Sequence, residues 1–304
     1  MSGRSQENPP KVGQPVELET GLRAILAPNP SPMTYWGTNT YLLGAQRLTV
    51  IDPGPESAPH LKAILNAVQP DQTITQIVVT HSHKDHSPLA AVLQRETGAE
   101  IIGFGDSFAG RSDVMKALET TAEIGGGEGV DWNFAPDRTV ADGDMIDVDG
   151  GKLRVIHTPG HMGNHICLAW RDACFTGDHI MGWASSLVSP PDGDLTDFMA
   201  SCDRLSTTDW RVFYSGHGAP IHDPNARLDW LIAHRRSREM EILTQLRNGP
   251  ATAEALARAI YVDVNPKLLR AAQRNVLAHL IDLAGRGLAA TSQPFEMEAI
   301  FEAV

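Results

Sequence analysis

Cysteine is scarce. Cys167, Cys174 and Cys202 are the only three in 304 residues, and an odd number gives no disulfide framework. A reducing cytoplasm is the simplest home for such a chain. No run approaches 18 consecutive apolar residues, which excludes a membrane-spanning helix. The opening MSGRSQENPPKVGQP lacks an apolar stretch and reads as a polar tail, not a secretory signal. Glycine (27) and proline (20) follow no period, and 42% hydrophobic content is ordinary, so collagen, coiled coil and wholesale disorder are ruled out. Positive charge is the remaining shortage. The net charge is −12, unevenly spread: from residue 226 onward there are 10 Lys+Arg against 9 Asp+Glu, which leaves 15 against 28 before it. An acidic body does not attract polyanions by its general field, although bound dications reverse the sign locally. What is plentiful is histidine, 12 in all and several of them crowded.

The chain is long enough for one large domain and a small one. Residues 22–28, 39–45 and 47–51 read as strands closed by Gly or Pro. Helical spacing over 58–68 precedes TQIVVT, an apolar run typical of a strand buried on both faces. Helical pattern resumes over 87–95, and 100–104 is again a strand, so α/β layering is expected. Residues 121–135 contain IGGGEG, read as a flexible loop; without Gly-Lys-Ser/Thr it is no phosphate-binding loop. Strands are expected near 144–148, 152–157, 165–170 and 173–176. After residue 225 the texture turns helical, over 228–246, 253–260 and 266–283. The division is a polar tail (1–15), a main domain (16–225) and a small domain (226–304).

Directly after IVVT stands His81-Ser82-His83-Lys84-Asp85-His86, four metal-capable side chains in six positions. His81 and His83 alternate and point to one side of an extended turn. Asp85 and His86 are adjacent and diverge on a helix start, which suits two metals better than one. Three later strands end in the same grammar: TPGH with His161, GD with Asp178, and SGHG with His217. Each sets a ligand-type residue beside a glycine, where another group can come close. Singly, each is weak; a lone histidine after a strand is more often a satisfied surface or core residue. Jointly, five His and two Asp fall at the strand ends where α/β folds build their sites.

HSHKDH, TPGH, GD and GHG in this order resemble the metallo-β-lactamase superfamily, over roughly residues 20–225. The resemblance implies an αββα sandwich and two zinc ions. One would be held by His81, His83 and His161 and the other by Asp85, His86 and His217, with Asp178 bridging. Mn²⁺ or Fe²⁺ stays open at the oxygen-richer site. A bridging aspartate argues against true β-lactam hydrolysis. GHGAPI, AHRRSREMEIL and LLRAAQRNVLAHLIDLAGRG resemble the winged-helix tail of the β-lactamase-like protein 2 branch, whose animal member is regarded as an endoribonuclease. The expected reaction is hydrolysis of a small ester, thioester or lactone by a hydroxide bridging the two metals, with Asp85 also orienting it and accepting its proton. Two alternatives stand beside it: an endoribonuclease for single-stranded RNA, and a non-catalytic metal-binding regulator with a winged helix. The sequence leaves the oligomeric state open.

The remaining candidates are supporting or lining residues. Asp52, ending the strand LTVI, is either a turn aspartate or a brace for the His81–His86 loop. His165 and His179 are read as supporting or pocket residues, and His179 or a water is a candidate acid for the leaving group. The segment from Trp183 to 194 should wall the pocket, with Tyr35 and Trp36 on the opposite rim. His157 reads as packed or solvated, and His60, His222, His234 and His279 as structural. Arg235, Arg236 and Arg238 look like a nucleic-acid patch, but Glu239 and Glu241 dilute it and a solvated helix face is the stronger reading.

Overall fold

The computed structural model describes residues 8–120, 124–262 and 265–304. Residues 1–7 of the expected tail and 121–123 of the expected glycine-rich loop lie outside them.

Two sheets form the main part. The first runs in sequence order: β1 (Pro15–Glu19), β2 (Leu22–Leu26), β3 (Asn39–Leu43), β4 (Arg47–Ile51), β5 (Thr73–Val78), β6 (Glu100–Gly103) and β7 (Arg138–Thr139). β1 to β4 pair antiparallel, and β4 to β7 pair parallel through α1 (Ala58–Asn66), α2 (Leu89–Thr97) and α3 (Asp113–Thr120). The second sheet has the order β12-β11-β10-β9-β8, built from β8 (Met145–Val148), β9 (Gly151–His157), β10 (Ile166–Trp170), β11 (Ala173–Gly177) and β12 (Val212–Ser215). Between β11 and β12, α4 (Leu195–Leu205) makes the parallel crossover.

The alternation of the strands explains the layering. Leu22, Tyr41, Ile51, Val78 and Ile102 of the first sheet meet Val155, Leu168, Phe175 and Tyr214 of the second in one central core. Their neighbours on the opposite faces, such as Leu42, Val50 and Ile77, pack under Ile64 of α1 and Leu93 of α2. On the far side, Cys167, Cys174 and Phe213 are covered by Phe198 of α4 and by Leu228 and Leu231 of α5 (Pro224–Asn248). The three cysteines are therefore buried free thiols, not ligands. Each fully buried large aliphatic or aromatic side chain contributes roughly 1.5–3 kcal/mol, so the sandwich is held chiefly by these three interfaces.

The C-terminal part follows α5 with β13 (Ala251–Thr252), α6 (Ala253–Ile260), α7 (Leu269–Gly285), β14 (Ala289–Ala290) and β15 (Ile300–Ala303), the strands in the order β13-β15-β14. Ile242, Leu246, Leu256, Val276, Leu280 and Phe301 form its core, which also takes in Met115 and Leu118 of α3. α5 is therefore shared: its first half seals the second sheet and its last turns belong to the C-terminal core. The division drawn at 225/226 falls in its first turn.

Several expectations need correction. The helix expected from Ser87 begins at Leu89, because Ser87 is taken up by the preceding turn: its hydroxyl donates to Asp131 Oδ2 (2.8 Å). β1, α3 and α4 were not expected at all. The described part of the glycine-rich loop is tied down: Gly127 N–H donates to Asp192 Oδ2 (2.6 Å) and Asp131 N–H to the Ser82 carbonyl (2.8 Å). Among the described residues no helix is long and apolar enough to cross a membrane.

Candidate metal centre

All seven expected side chains converge at one end of the sandwich. The turn after β5 brings His81, His83, Asp85 and His86. The turn after β9 brings His161, the end of β11 brings Asp178, and the residue pair after β12 brings His217. They sort into two groups, His81–His83–His161 and Asp85–His86–Asp178–His217, within each of which the donor atoms lie within 4.8 Å of one another. Glycines make this approach possible. A Cβ on Gly216 would stand 2.4 Å from Asp178 Oδ1 and 2.7 Å from His86 Cε1, and one on Gly177 would stand 2.6 Å from His165 Nε2.

Hydrogen bonds on the outer nitrogens fix which inner nitrogens carry lone pairs. The Thr80 hydroxyl gives its proton to Asp52 Oδ2 (2.8 Å), so it can only accept from His81 Nδ1 (3.0 Å). His161 Nδ1 donates to the Leu187 carbonyl (2.7 Å). Both rings thus present a bare Nε2, and these lie 2.9 and 3.0 Å from His83 Nδ1. Burial holds the three imidazoles neutral: His83 is pushed down to about 3, and His81 and His161 also fall below the ordinary value. Neutral imidazoles turning nitrogens onto one point form a donor set for a transition metal.

The second group follows the same logic with carboxylates added. His86 Nδ1 donates to Asp52 Oδ2 (2.9 Å) and His217 Nδ1 to the Gly37 carbonyl (3.0 Å), which turns Nε2 inward on both. His86 Nε2 faces Asp85 Oδ2 at 3.3 Å and Asp178 Oδ1 at 3.4 Å. His217 Nε2 faces Asp85 Oδ2 at 3.1 Å and Asp178 Oδ2 at 3.3 Å. Both Nε2 atoms and Asp178 Oδ1 are buried without a hydrogen-bond partner among the described residues. Ring nitrogens facing carboxylate oxygens in a buried site need positive charge, either as protons on the imidazoles or as a metal ion that displaces those protons. Burial opposes charge on both rings, yet the aspartates around them overcome it, raising His86 well above its usual range and His217 to about 10. Asp178 also reaches the first group, its Oδ2 standing 3.7 Å from His161 Nε2. These residues fit two divalent ions with Asp178 between them.

The supporting residues divide differently from expectation. Asp52, at φ +51°, is the brace: its Oδ1 accepts the Thr80 N–H (2.7 Å) while Oδ2 orients His86. His165 is not in a pocket. Fully buried, it accepts the Asp178 N–H at Nε2 (3.2 Å), and its Nδ1 is 2.9 Å from Thr158 Oγ1, so it holds the Asp178 backbone. His179 is not available as a leaving-group acid. Its fully buried ring packs on Phe198 and lies 3.5 Å from Cys202 Sγ, and burial pushes it down to about 3. Several supports escaped the sequence reading, among them Thr80, Thr38 and Asn29. Thr38 Oγ1 donates to Asp85 Oδ2 (3.4 Å) and accepts from Asn29 Nδ2 (2.9 Å), bracing the one carboxylate that keeps a quarter of its side chain exposed. Nothing in the run WGTNTYLL distinguishes that threonine from its neighbours.

The aromatic rim is a three-ring stack. Tyr35 lies between Trp36 (4.8 Å) and Trp183 (4.9 Å), directly over Gly218 beside His217. Trp36 lines a cavity of about 350 Å³ together with Leu18, Leu26 and Tyr41. Another cleft, of about 200 Å³, runs from Trp183 and Leu187 along Met33 to Tyr261, Leu268 and Ala271. The cleft shares Leu187 with the site, since the Leu187 carbonyl accepts from His161 Nδ1, but no member of the two metal groups lines it.

Of the other histidines, His60 is buried against Thr40 Oγ1 (2.8 Å), His157 stacks on Phe104, and His234 stacks on Trp230. The arginine patch is broken up, with Arg236 alone of the three left exposed. Arg235 is buried, since it shares the stripe of Leu228, Leu231 and Ile232 on α5, and Arg238 is held by Glu241 and the Tyr261 ring.

The comparisons with known proteins agree with this architecture. Residues 33–217 match the model of the metallo-beta-lactamase superfamily, and residues 252–293 that of the beta-lactamase associated winged helix domain. A beta-lactamase-like protein 2 homolog of Drosophila melanogaster is 30% identical over 292 residues, covering 92% of this chain and 94% of its own length. An atrochrysone carboxyl ACP thioesterase of Claviceps purpurea is 30% identical over 268 residues, covering 84% of this chain and 76% of its own. The crystal structure of a metallo-beta-lactamase family protein from Thermus thermophilus, 25% identical, superposes with a TM-score of 0.76 over 95% of this chain and 100% of that one. That of a beta-lactamase domain protein from Burkholderia ambifaria, 21% identical, shares the fold with a TM-score of 0.82 over 98% and 96%. The chain belongs to the metallo-beta-lactamase superfamily, as a metal-dependent hydrolase that carries the associated winged helix domain.

Proposed function

We propose that this chain hydrolyses a small acyl thioester or related ester at two divalent ions, chiefly zinc. His81, His83 and His161 hold one ion; Asp85, His86 and His217 hold the other, and Asp178 stands between. Mixed imidazole and carboxylate ligation suits Zn²⁺ and leaves open positions, as a catalytic site needs. Bound there, the ions supply an acidified water and a Lewis acid for the scissile carbonyl. The residues do the rest. Asp52, Thr80 and Thr38 orient the ligand side chains, and the buried aspartate Asp178 is held by its own backbone through His165. Asp85, partly exposed, is the member of the set able to take a proton from water at Oδ1, since Thr38 engages Oδ2.

One observation carries the choice of substrate: the cleft that shares Leu187 with the site is lined mainly by apolar side chains. Apolar walls with few polar groups suit an acyl chain. The relatives named as ACP thioesterases support the same class. The test is turnover of the zinc-loaded chain on acyl thioesters, lactones and labelled single-stranded RNA across a salt series. Thioester cleavage should change little with salt; RNA cleavage would lose about 0.7 log unit of affinity per phosphate contact for each tenfold rise. RNA cleavage with no thioester turnover would overturn the proposal.

A further inference from the structure

We propose that Asn275, on α7 of the winged helix part, is a positioning residue for His161, acting through a single peptide unit. The observation is a chain of contacts across the junction. His161 Nδ1 donates to the Leu187 carbonyl at 2.7 Å, and the N–H of the next residue, Val188, donates to Asn275 Oδ1 at 3.0 Å. Leu187 C=O and Val188 N–H belong to one planar amide and point in opposite directions from it. Fixing the N–H end therefore aims the carbonyl end. Asn275 is itself fixed, because Arg235 Nη1 donates to the same Oδ1 at 3.1 Å; two N–H donors identify that atom as the oxygen. Arg235 is buried, lies over the Phe198 ring at 5.0 Å and gives a second guanidinium bond to the Ser186 carbonyl. Polarised in series, these bonds strengthen one another in a buried setting.

The rest of the segment is anchored from the same side. Arg227 donates to the carbonyls of Met181 and Ala184, both at 2.7 Å, and Arg274 Nε donates to Ser189 Oγ at 2.8 Å. Residues 181–189 thus hang from side chains of α5 and α7, while the metal groups lie on the other face. Among these contacts, the Asn275 bond is the one that shares its peptide with a ligand's acceptor. The winged helix part becomes a component of the metal centre although it supplies none of the seven ligands. Outer bonds of this kind commonly change metal affinity by about 10- to 100-fold when removed.

The inference rests on the two-ion reading above, and zinc titration by calorimetry separates the two. The unsubstituted chain should show two binding steps, and His161→Ala identifies the step belonging to the three-histidine group. Asn275→Ala should weaken that step by about 10- to 100-fold and shift the other less than threefold. Alanine favours the helix, so α7 should fold. Asn275→Asp, which keeps an oxygen for Val188 and Arg235, should restore the step; a generally loosened junction would not be rescued this way. If Asn275→Ala fails to fold, Arg235→Lys, which loses the fork holding Oδ1, should weaken the same step. Equal weakening of both steps, no weakening, or failure of the Asp variant to restore would overturn the role of Asn275. A parent chain that takes up no divalent ion would overturn the metal reading instead.

Discussion

Asp52 carries more of the metal centre than its place outside it suggests. One carboxylate binds the Thr80 amide, the Thr80 hydroxyl and His86 Nδ1, and through Thr80 it also sets the tautomer of His81. One residue therefore turns a ring nitrogen toward each of the two metal groups. Asp52→Asn cannot accept from all three donors, because one terminal atom becomes an amide that only donates. We expect it to fold and to lose about 10- to 100-fold in zinc affinity, roughly 1.4 to 2.7 kcal/mol, read by competition with a chromophoric chelator. Unchanged affinity would remove the brace. The seven converging side chains were legible in the sequence, because imidazoles concentrated at strand ends serve few purposes besides holding a metal. Their supports were not. Thr38, Asn29 and the Leu187 carbonyl are ordinary groups whose significance comes only from what the fold lays against them.

At the scale of elements, α7 carries a buried cost and a wall. His279 is fully buried, and neither ring nitrogen has a hydrogen-bond partner among the described residues. Desolvation, with Arg235 and other cations nearby, holds its pKa well below the ordinary value. The folded ring stays neutral while the unfolded chain takes up a proton near pH 6.5, so stability is full above that pH and is lost as pH falls below it. His279→Leu should raise the melting temperature at pH 7.5, since an unpaired buried polar group costs about 1–3 kcal/mol. It should also flatten the decline in melting temperature between pH 6.5 and 5; an unaltered slope would contradict the assignment. The wall is Ala271, which faces the cleft with Leu268 and Tyr261. Ala271→Phe should leave short-chain thioesters turning over at nearly the parental rate and raise KM for long-chain ones several-fold. Equal effects on both would deny the cleft its part in binding. Helical periodicity gave away α6 and α7, but it placed Arg235 among surface charges. Its run of neighbours, RRSRE, looks solvated until the stripe of Leu228, Leu231 and Ile232 is continued one turn.

Over the whole molecule, the two parts are joined through α5, through α3, whose Met115 and Leu118 enter the C-terminal core, and through one loop. α5 seals the second sheet with its first half and the winged helix core with its second. The loop at 181–189 lies between them, touching His161 on one side and Asn275 on the other. The α/β layering was readable from the alternation of apolar runs and helical patterns. The junction was not, because it depends on pairs more than 80 residues apart, such as Asn275 with Val188 and Arg274 with Ser189. The acidic main body favours the proposed small substrate over a polyanion, whose approach its general field opposes. The most direct measurement is the rate of thiol release from an acyl thioester as zinc is added to the apo-protein. The rate should rise with zinc and level off at two equivalents per chain, and His81→Ala or Asp178→Ala should abolish it. Two equivalents bound with no thiol released from any thioester tested would contradict the account.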